Sequence, residues 1–337
     1  MVLFPSWCLS SLPLLATGRS IWSVGKPQGS VEVLEELPLP EEFFKKYIQD
    51  KGGEFEGYGK PVLMPKAATR MPAFSKWSDA YLLENYGDTR LDQVETEKKE
   101  TRTKYPHEDW TLKKFLSKYN TSVLYSTATT PPNLGREVYL LPVMNCGGYS
   151  RKLAATVLWM SSGGTKSVIH QDGQDNIHCQ FDGQKDWILW ESSAPIRKTE
   201  MGWVWAENEA EQDPSFKDAY GQYAGRLDVD NVDVEAYPGW EKLRWWNMTM
   251  KAGDCAFIPR HWFHFVQSPP MRSISIHVWF HGEKFDPRSC EALTAKGFDL
   301  SNFLLSIGDC TFGYEHGKKG SATKCKMSKK KAVASEL

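Results

Sequence analysis

The sequence predicts a mainly β protein with flanking helices, and three observations carry that prediction. From residue 126 onward the chain runs as short segments rich in Val, Ile, Trp and Phe, separated by Gly, Pro, Asn and Asp. That texture marks an all-β barrel or sandwich. Between residues 30 and 125, apolar positions instead recur at helical spacing, which places helices ahead of the β half. The composition, 41% hydrophobic and 13% aromatic with 14 Trp among 337 residues, supplies a sizeable core with broad aromatic surfaces.

The elements follow in order. "MVLFPSWCLSSLPLLATGRS" is apolar and uncharged up to Arg19, with Ala16 and Gly18 in a small-x-small pattern. Residues 1–20 therefore read as a signal peptide, with an apolar strand or a short anchor as the alternatives. "EEFFKKYI" follows a proline and predicts a short helix; "KPVLMP" predicts a strand. "KWSDAYLLENYGD" predicts a helix that Ser78 caps and Gly87 stops. "DQVETEKKETRTKY" is charged enough to be a solvated strand or loop, and "WTLKKFLSKY" is one more amphipathic helix. Residues 30–125 thus form a helical and strand extension packed on the barrel.

Residues 126–285 are the predicted core. Its strands are "ATVLWMS", "SVIHQD", "NIHCQF", "DWILWES", "LRWWNMTM", "CAFIP", "HFVQS" and "SISIHVWFH". An acidic insertion at 192–240 interrupts them, and a loop of that length in a compact domain is usually functional or mobile. Residues 286–316 are a C-terminal extension, and the Lys-rich residues 317–337 are expected to be a solvated, disordered tail.

Charge and cysteines narrow the function classes. With 41 basic and 42 acidic residues the net charge is -1, so no global field draws the chain to nucleic acid. No apolar run beyond the N-terminus is long enough to span a bilayer. Loss of the N-terminal segment would remove Cys8 and leave six cysteines, an even number able to pair in an oxidising compartment. "NTS" at Asn120 and "NMT" at Asn247 are possible glycan acceptors. The final "ASEL" resembles a retrieval tetrapeptide without its usual second residue. The expected compartment is the secretory pathway or ER lumen, with cytoplasm or nucleus as the alternative. Cys290, Cys310 and Cys325 show no close CxxC pairing, which favours disulfides or buried thiols over zinc. Nothing near Cys179 or Cys255 activates a thiol.

The chemistry concentrates in "HQDGQDNIHCQFDGQK", residues 170 to 185. His170 and Asp172 are two apart, so on a strand both side chains reach the same face. The third ligand candidate stands in "GDCAFIPRHWFHFV", where a Gly253-Asp254 turn leads through an apolar strand and a proline to His264. Two histidines and one carboxylate are the ligand set of non-haem Fe(II) oxygenases, which keep three positions open.

With these residues in place the sequence resembles the JmjC-type Fe(II)/2-oxoglutarate oxygenases, especially the small JmjC-only protein hydroxylases. The resemblance covers roughly residues 33 to 285. It implies a cupin-like double-stranded β-helix, or jelly-roll, holding Fe(II) at His170, Asp172 and His264 with 2-oxoglutarate as cosubstrate. Lys185, fifteen residues after His170, matches the lysine that pairs with the distal carboxylate of 2-oxoglutarate. Ser167 matches a hydroxyl that helps hold the same carboxylate, and Asn176 a pocket asparagine. His277 stands where the family usually has an asparagine near the cosubstrate, and His178 where an aromatic is common; each is read as pocket lining or as a packed histidine. His261 and His281 read as structural or exposed, and His107 and His316 carry no signal.

The resemblance implies hydroxylation of a protein or peptide side chain by O2, with release of succinate and CO2. Histone or protein lysine demethylation is an alternative within the same chemistry. A cupin-fold binding protein without turnover is the alternative from another class, and the substitutions at His178 and His277 favour it. Under either view the acidic insertion reads as a lid for a basic peptide, with Asp228, Asp230 and Asp233 supplying the charge.

Overall fold

A computed structural model describes residues 18–49, 58–95, 109–167, 169–197, 223–224, 227–302, 304–311 and 324–325. The first strands are β1 (Lys26–Ser30), β2 (Glu32–Val33), β3 (Val62–Met64), β4 (Arg90–Leu91), β5 (Val94–Glu95), β6 (Trp110–Thr111) and β7 (Tyr125–Thr129). Next come β8 (Leu153–Ser161), β9 (His170–Gln171), β10 (Asp175–Asp182), β11 (Gln184–Trp190) and β12 (Tyr223–Ala224). The last long strands are β13 (Arg244–Lys251), β14 (Cys255–Ile258), β15 (Phe263–Gln267) and β16 (Ser273–Phe280).

One sheet has the order β1-β13-β11-β15-β9-β12 and the other β2-β3-β14-β10-β16-β8-β7-β5. The connections β8 to β9, β9 to β10, β10 to β11, β13 to β14, β14 to β15 and β15 to β16 therefore each cross between sheets. That alternation is the double-stranded β-helix, a jelly-roll.

Period-two alternation then sorts the side chains into three layers. Trp187, Leu189, Met248 and Met250 from one sheet meet Ala256 and Ile258 from the other in the central cluster. Ile177, Cys179, Ile276 and Phe257 point away from it into the largest cluster, shared with the helices. Ile188, Trp190, Phe263 and Phe265 face outward on the other side, under Ile21, Val24 and Trp240. Because both faces of β10 are covered, seven of its eight residues are buried. Polar Asn176, His178 and Gln180 are thereby forced inside with the apolar residues.

The crossing from β10 to β11 needs a glycine. Gly183 has φ +72, and a Cβ there would stand 2.1 Å from the Arg272 carbonyl. This single residue carries the chain from Asp182 at the end of β10 to Gln184 at the start of β11 in the other sheet.

The helices are short: α1 (Pro40–Phe43), continued by a π-helical turn Phe44–Ile48, α2 (Pro72–Lys76), α3 (Asp79–Tyr86), α4 (Leu112–Leu116), α5 (Pro132–Gly135) and α6 (Pro287–Ala295). Ser78 caps α3 by accepting from the Tyr81 N–H, and Gly87 follows its last residue. Helix α4 is shorter than its periodicity suggests because Trp110 and Thr111 pair with Leu91 and Arg90 as a small ladder. The N-terminal extension is more than a covering layer. Strands β1, β2, β3 and β5 are members of the two sheets; β3 is the strand that "KPVLMP" predicts, whereas β1, β2 and β5, runs of two to five residues, are too short for a period to reveal them. In the charged run, Val94 and Glu95 are buried where β5 pairs with β7.

The six cysteines after residue 17 form three disulfides, Cys146–Cys290, Cys179–Cys255 and Cys310–Cys325. Cys179 and Cys255 are directly paired positions of β10 and β14. Cys325 lies in the segment expected to be a disordered tail, and it is tied back to Cys310 by a two-residue ladder.

The described end of the acidic insertion is packed, with Val229, Val232 and Trp240 buried on the outer face of the six-stranded sheet. Asp230 pairs with Lys166, Asp228 accepts from the Asp230 N–H, and Asp233 accepts from Glu235 and Ala236. The segment read as a signal peptide lies outside the described residues through residue 17, as do the rest of the Lys-rich tail, His107 and His316. No helix among the described residues is long and apolar enough to cross a membrane.

Candidate metal and cosubstrate site

His170 on β9 and His264 on β15 are directly opposite in the ladder, with ring centroids 4.2 Å apart. Strand β9 ends at Gln171, so Asp172 is placed by a turn rather than by strand alternation. Its carbonyl accepts from the His261 N–H at 2.7 Å, and its Oδ2 accepts from Trp279 Nε1 at 3.0 Å. One donor atom from each of His170, Asp172 and His264 lies within 4.8 Å of the others. His264 Nδ1 is 3.0 Å from the Trp262 carbonyl, which can only accept. The imidazole proton therefore sits on Nδ1 and the Nε2 lone pair is free for a cation, the usual outer-contact device for a ligating histidine. Asp172 Oδ2 stands 3.9 Å from that Nε2.

An ion pair holds this corner together. Asp175, fully buried at the start of β10, accepts from the Arg260 backbone N–H at 3.0 Å and from its guanidinium at 2.8 Å. Burial pushes the Asp175 carboxyl up to about 6 despite the arginine, which acts the other way. The next residue, His261, has φ 64 and rests its ring 4.4 Å from that of Tyr58.

Lys185 projects from the inner face of β11, two residues before Trp187. It is 4% exposed, with Nζ 3.3 Å from the Tyr125 hydroxyl and 5.7 and 5.9 Å from the Tyr125 and Trp159 ring centroids. Among the described residues no carboxylate pairs with it, and burial lowers its pKa from 10.5 to about 7. Trp187 connects this end to the ligand end, its ring centred 5.6 Å from His264 and 6.4 Å from His277.

Strands β10 and β16 place His178 opposite His277 and Asn176 opposite Trp279. The two imidazoles meet with centroids 4.0 Å apart. The Asn176 amide donates to His277 Nδ1 at 2.8 Å, so His277 carries its proton on Nε2. Gln180 Nε2 donates to Ser273 and Asp182, leaving its oxygen to accept from His178 Nε2 at 3.3 Å. Burial holds both histidines well below the usual imidazole range, so the pair is neutral.

Both histidines therefore face the interior. On and around the pair are buried polar atoms with no hydrogen-bond partner among the described residues: Asn176 Oδ1, His178 Nδ1, Ser275 Oγ, Trp159 Nε1 and Trp187 Nε1. Each such orphan costs roughly 1–3 kcal/mol, which a polar solute in the interior would recover. A two-histidine, one-carboxylate donor set, an uncompensated ammonium and a rim of orphaned polar atoms fit a divalent cation with an anionic cosubstrate.

Ser167 behaves differently from the other candidates. Its Oγ accepts from the Val266 N–H at 2.9 Å, and the hydroxyl beside Lys185 belongs to Tyr125, which Thr165 also contacts. Tyr125, Thr165, Trp159 and Trp279 join the site without belonging to any motif that marks it in the sequence. Trp279 alone had a legible signal, since it lies two residues beyond His277 and so shares its face.

The sequence profile of the cupin-like domain family matches residues 50–286. Jumonji C domain-containing protein 5 of Drosophila melanogaster is 25% identical over 241 residues, 66% of this chain and 55% of that protein. Lysine-specific demethylase JMJ30 of Arabidopsis thaliana is 25% identical over 269 residues, covering 74% and 58%. Lysine-specific demethylase 8 of Xenopus tropicalis is 23% identical over 230 residues, covering 66% and 48%. The chain spans about half the length of these relatives. Profile, strand order and donor set agree: this chain is a JmjC-type member of the cupin-like domain family.

Proposed function

We propose that the protein is an Fe(II)- and 2-oxoglutarate-dependent oxygenase that hydroxylates a protein side chain. The observation that carries this is Lys185, a buried amine with no acid partner among the described residues, in the same interior as the His170, Asp172 and His264 cluster. A buried lone charge is costly unless an anion meets it, and a dicarboxylate chelating the cation at one end would present its other carboxylate here.

When bound, the iron and cosubstrate supply oxygen activation: one substrate C–H, O2 and 2-oxoglutarate become C–OH, succinate and CO2. The chain's residues do the rest. His264 offers Nε2 because Trp262 fixes its proton, and Trp279 holds one Asp172 oxygen so the carboxylate cannot swing. Lys185 and Tyr125 anchor the distal carboxylate, while Trp159, Trp187, His178 and His277 wall the cavity and limit water.

The names of two relatives favour a second reading, lysine demethylation, in which the hydroxylated carbon is an N-methyl group that leaves as formaldehyde. The test is anaerobic titration with Fe(II) and 2-oxoglutarate, followed by the visible charge-transfer band of the chelate. The band should appear in the wild type, vanish in His170→Ala and weaken in Lys185→Ala. Folded, metal-loaded protein without a band would leave the non-catalytic binding protein as the reading. Turnover with candidate peptides then separates the two reactions: a product heavier by one oxygen, or formaldehyde with loss of a methyl group.

A further inference from the structure

We propose that the protein matures in an oxidising secretory lumen and there carries N-linked glycans on Asn120 and Asn247. The two positions begin the N-x-S/T tripeptides of the chain, "NTS" and "NMT". Both asparagines are exposed, as are Ser122 and Thr249 at the third positions. Among the described residues neither carboxamide makes a hydrogen bond. Asn120 lies in the one-turn helix Tyr119–Thr121, whose Tyr119 is fully buried and stacked on Phe115 beneath it. Asn247 lies in mid-strand on β13, where Met248 and Met250 turn inward and Asn247 turns out. A glycan at either position would stand clear of the interior that holds His170, Asp172 and His264.

An independent observation points to the same compartment. The six cysteines beyond residue 17 are all committed to disulfides, bridging 144, 76 and 15 residues. Such pairs form and persist where the environment is oxidising, which is also where asparagine meets its glycosyl donor. The transfer is redox-neutral. A bond forms between Asn Nδ2 and the anomeric carbon of a polyprenyl-diphosphate-linked oligosaccharide, the anomeric C–O bond breaks, the diphosphate leaves and one amide proton is lost.

The fold also dictates when transfer happens. Thr249 Oγ1 donates to Asp186 at 2.9 Å, Ser122 Oγ donates to the Lys118 carbonyl at 2.7 Å, and β13 is paired on both sides. Both acceptor hydroxyls are occupied in the folded protein, so modification precedes closure of the sheets.

The test expresses the full chain in a eukaryotic host and follows mobility and peptide mass before and after peptide-N-glycosidase, in wild type, Asn120→Gln, Asn247→Gln and the double variant. Cysteines are counted in parallel by alkylation without reduction. Two glycans on the wild type, one on each single variant and none on the double variant are expected, with six cysteines protected. An unshifted wild type overturns the proposal, whether its cysteines are protected or fully alkylated. A shift that survives in the double variant overturns the assignment to these asparagines, and modification at one position alone overturns it for the other.

Discussion

Lys185 shows how one residue can oppose folding and serve binding. Its ammonium is desolvated between Tyr125 and Trp159 with no acid beside it, and its pKa falls to about 7. Between pH 7 and 10.5 the unfolded chain holds this proton and the folded chain does not, so the residue makes stability rise with pH through that window. Below pH 7 the folded protein carries the full penalty. Lys185→Met should therefore stabilise the cofactor-free protein by about 1–4 kcal/mol at pH 6. Thermal melts should show that gain shrinking toward pH 9, while the cosubstrate band is weakened at every pH. A carboxylate beside Lys185 would raise its pKa again, so cosubstrate binding above pH 7 must take up a proton. Affinity measured by calorimetry should weaken as pH rises from 7 to 9, with proton uptake read from buffers of different ionisation enthalpy; pH-independent binding would remove Lys185 from the anion site. Trp279 makes the companion case. Trp279→Phe frees Asp172 Oδ2 without touching the ligands, and Fe(II) affinity should fall about 10–100-fold in a metal titration.

The strands and turns decide whether these residues meet. The "HQD" segment read as a strand carrying both ligands on one face, but the strand stops at Gln171 and the His261 N–H and Trp279 indole set Asp172. A period-two pattern cannot reveal contacts made by residues 89 and 107 positions away. The ion pair of Asp175 with Arg260 links the two ligand-bearing segments, one just before β10 and the other in the turn into β15. Arg260→Met would leave the Asp175 carboxylate buried and unpaired, at a cost of about 3–5 kcal/mol in chemical or thermal unfolding. Asp175→Asn in that background should recover much of the loss, since it removes the stranded charge. Additive losses in the double variant would show that the pair does not act as a unit.

Across the whole molecule, strands β8 to β11 and β13 to β16 are legible because they are punctuated by Gly, Pro or Asp and rich in β-branched and aromatic residues. The metal ligands were legible because local spacing carries two of the three. What the sequence hides is non-local: β1, β2, β5, β7 and β12 completing the sheets, Tyr125 reaching Lys185 from β7, and the pairing of cysteines. Six cysteines allow fifteen connectivities, and only the fold brings Cys146 near Cys290 across 144 residues. That bridge joins the segment ahead of β8 to helix α6, past the last barrel strand, and so closes a loop containing most of the core. Loop-closure entropy grows with the logarithm of loop length, so removing this bridge should cost more than removing Cys310–Cys325, which closes 15 residues. Paired Cys→Ser variants compared by denaturant unfolding should show a loss of about 2–5 kcal/mol for the first bridge. The second should lose less, because its shorter loop restricts the unfolded chain less and it fastens a peripheral ladder. A reversed order would mean that the C-terminal ladder, rather than the closed barrel, limits unfolding.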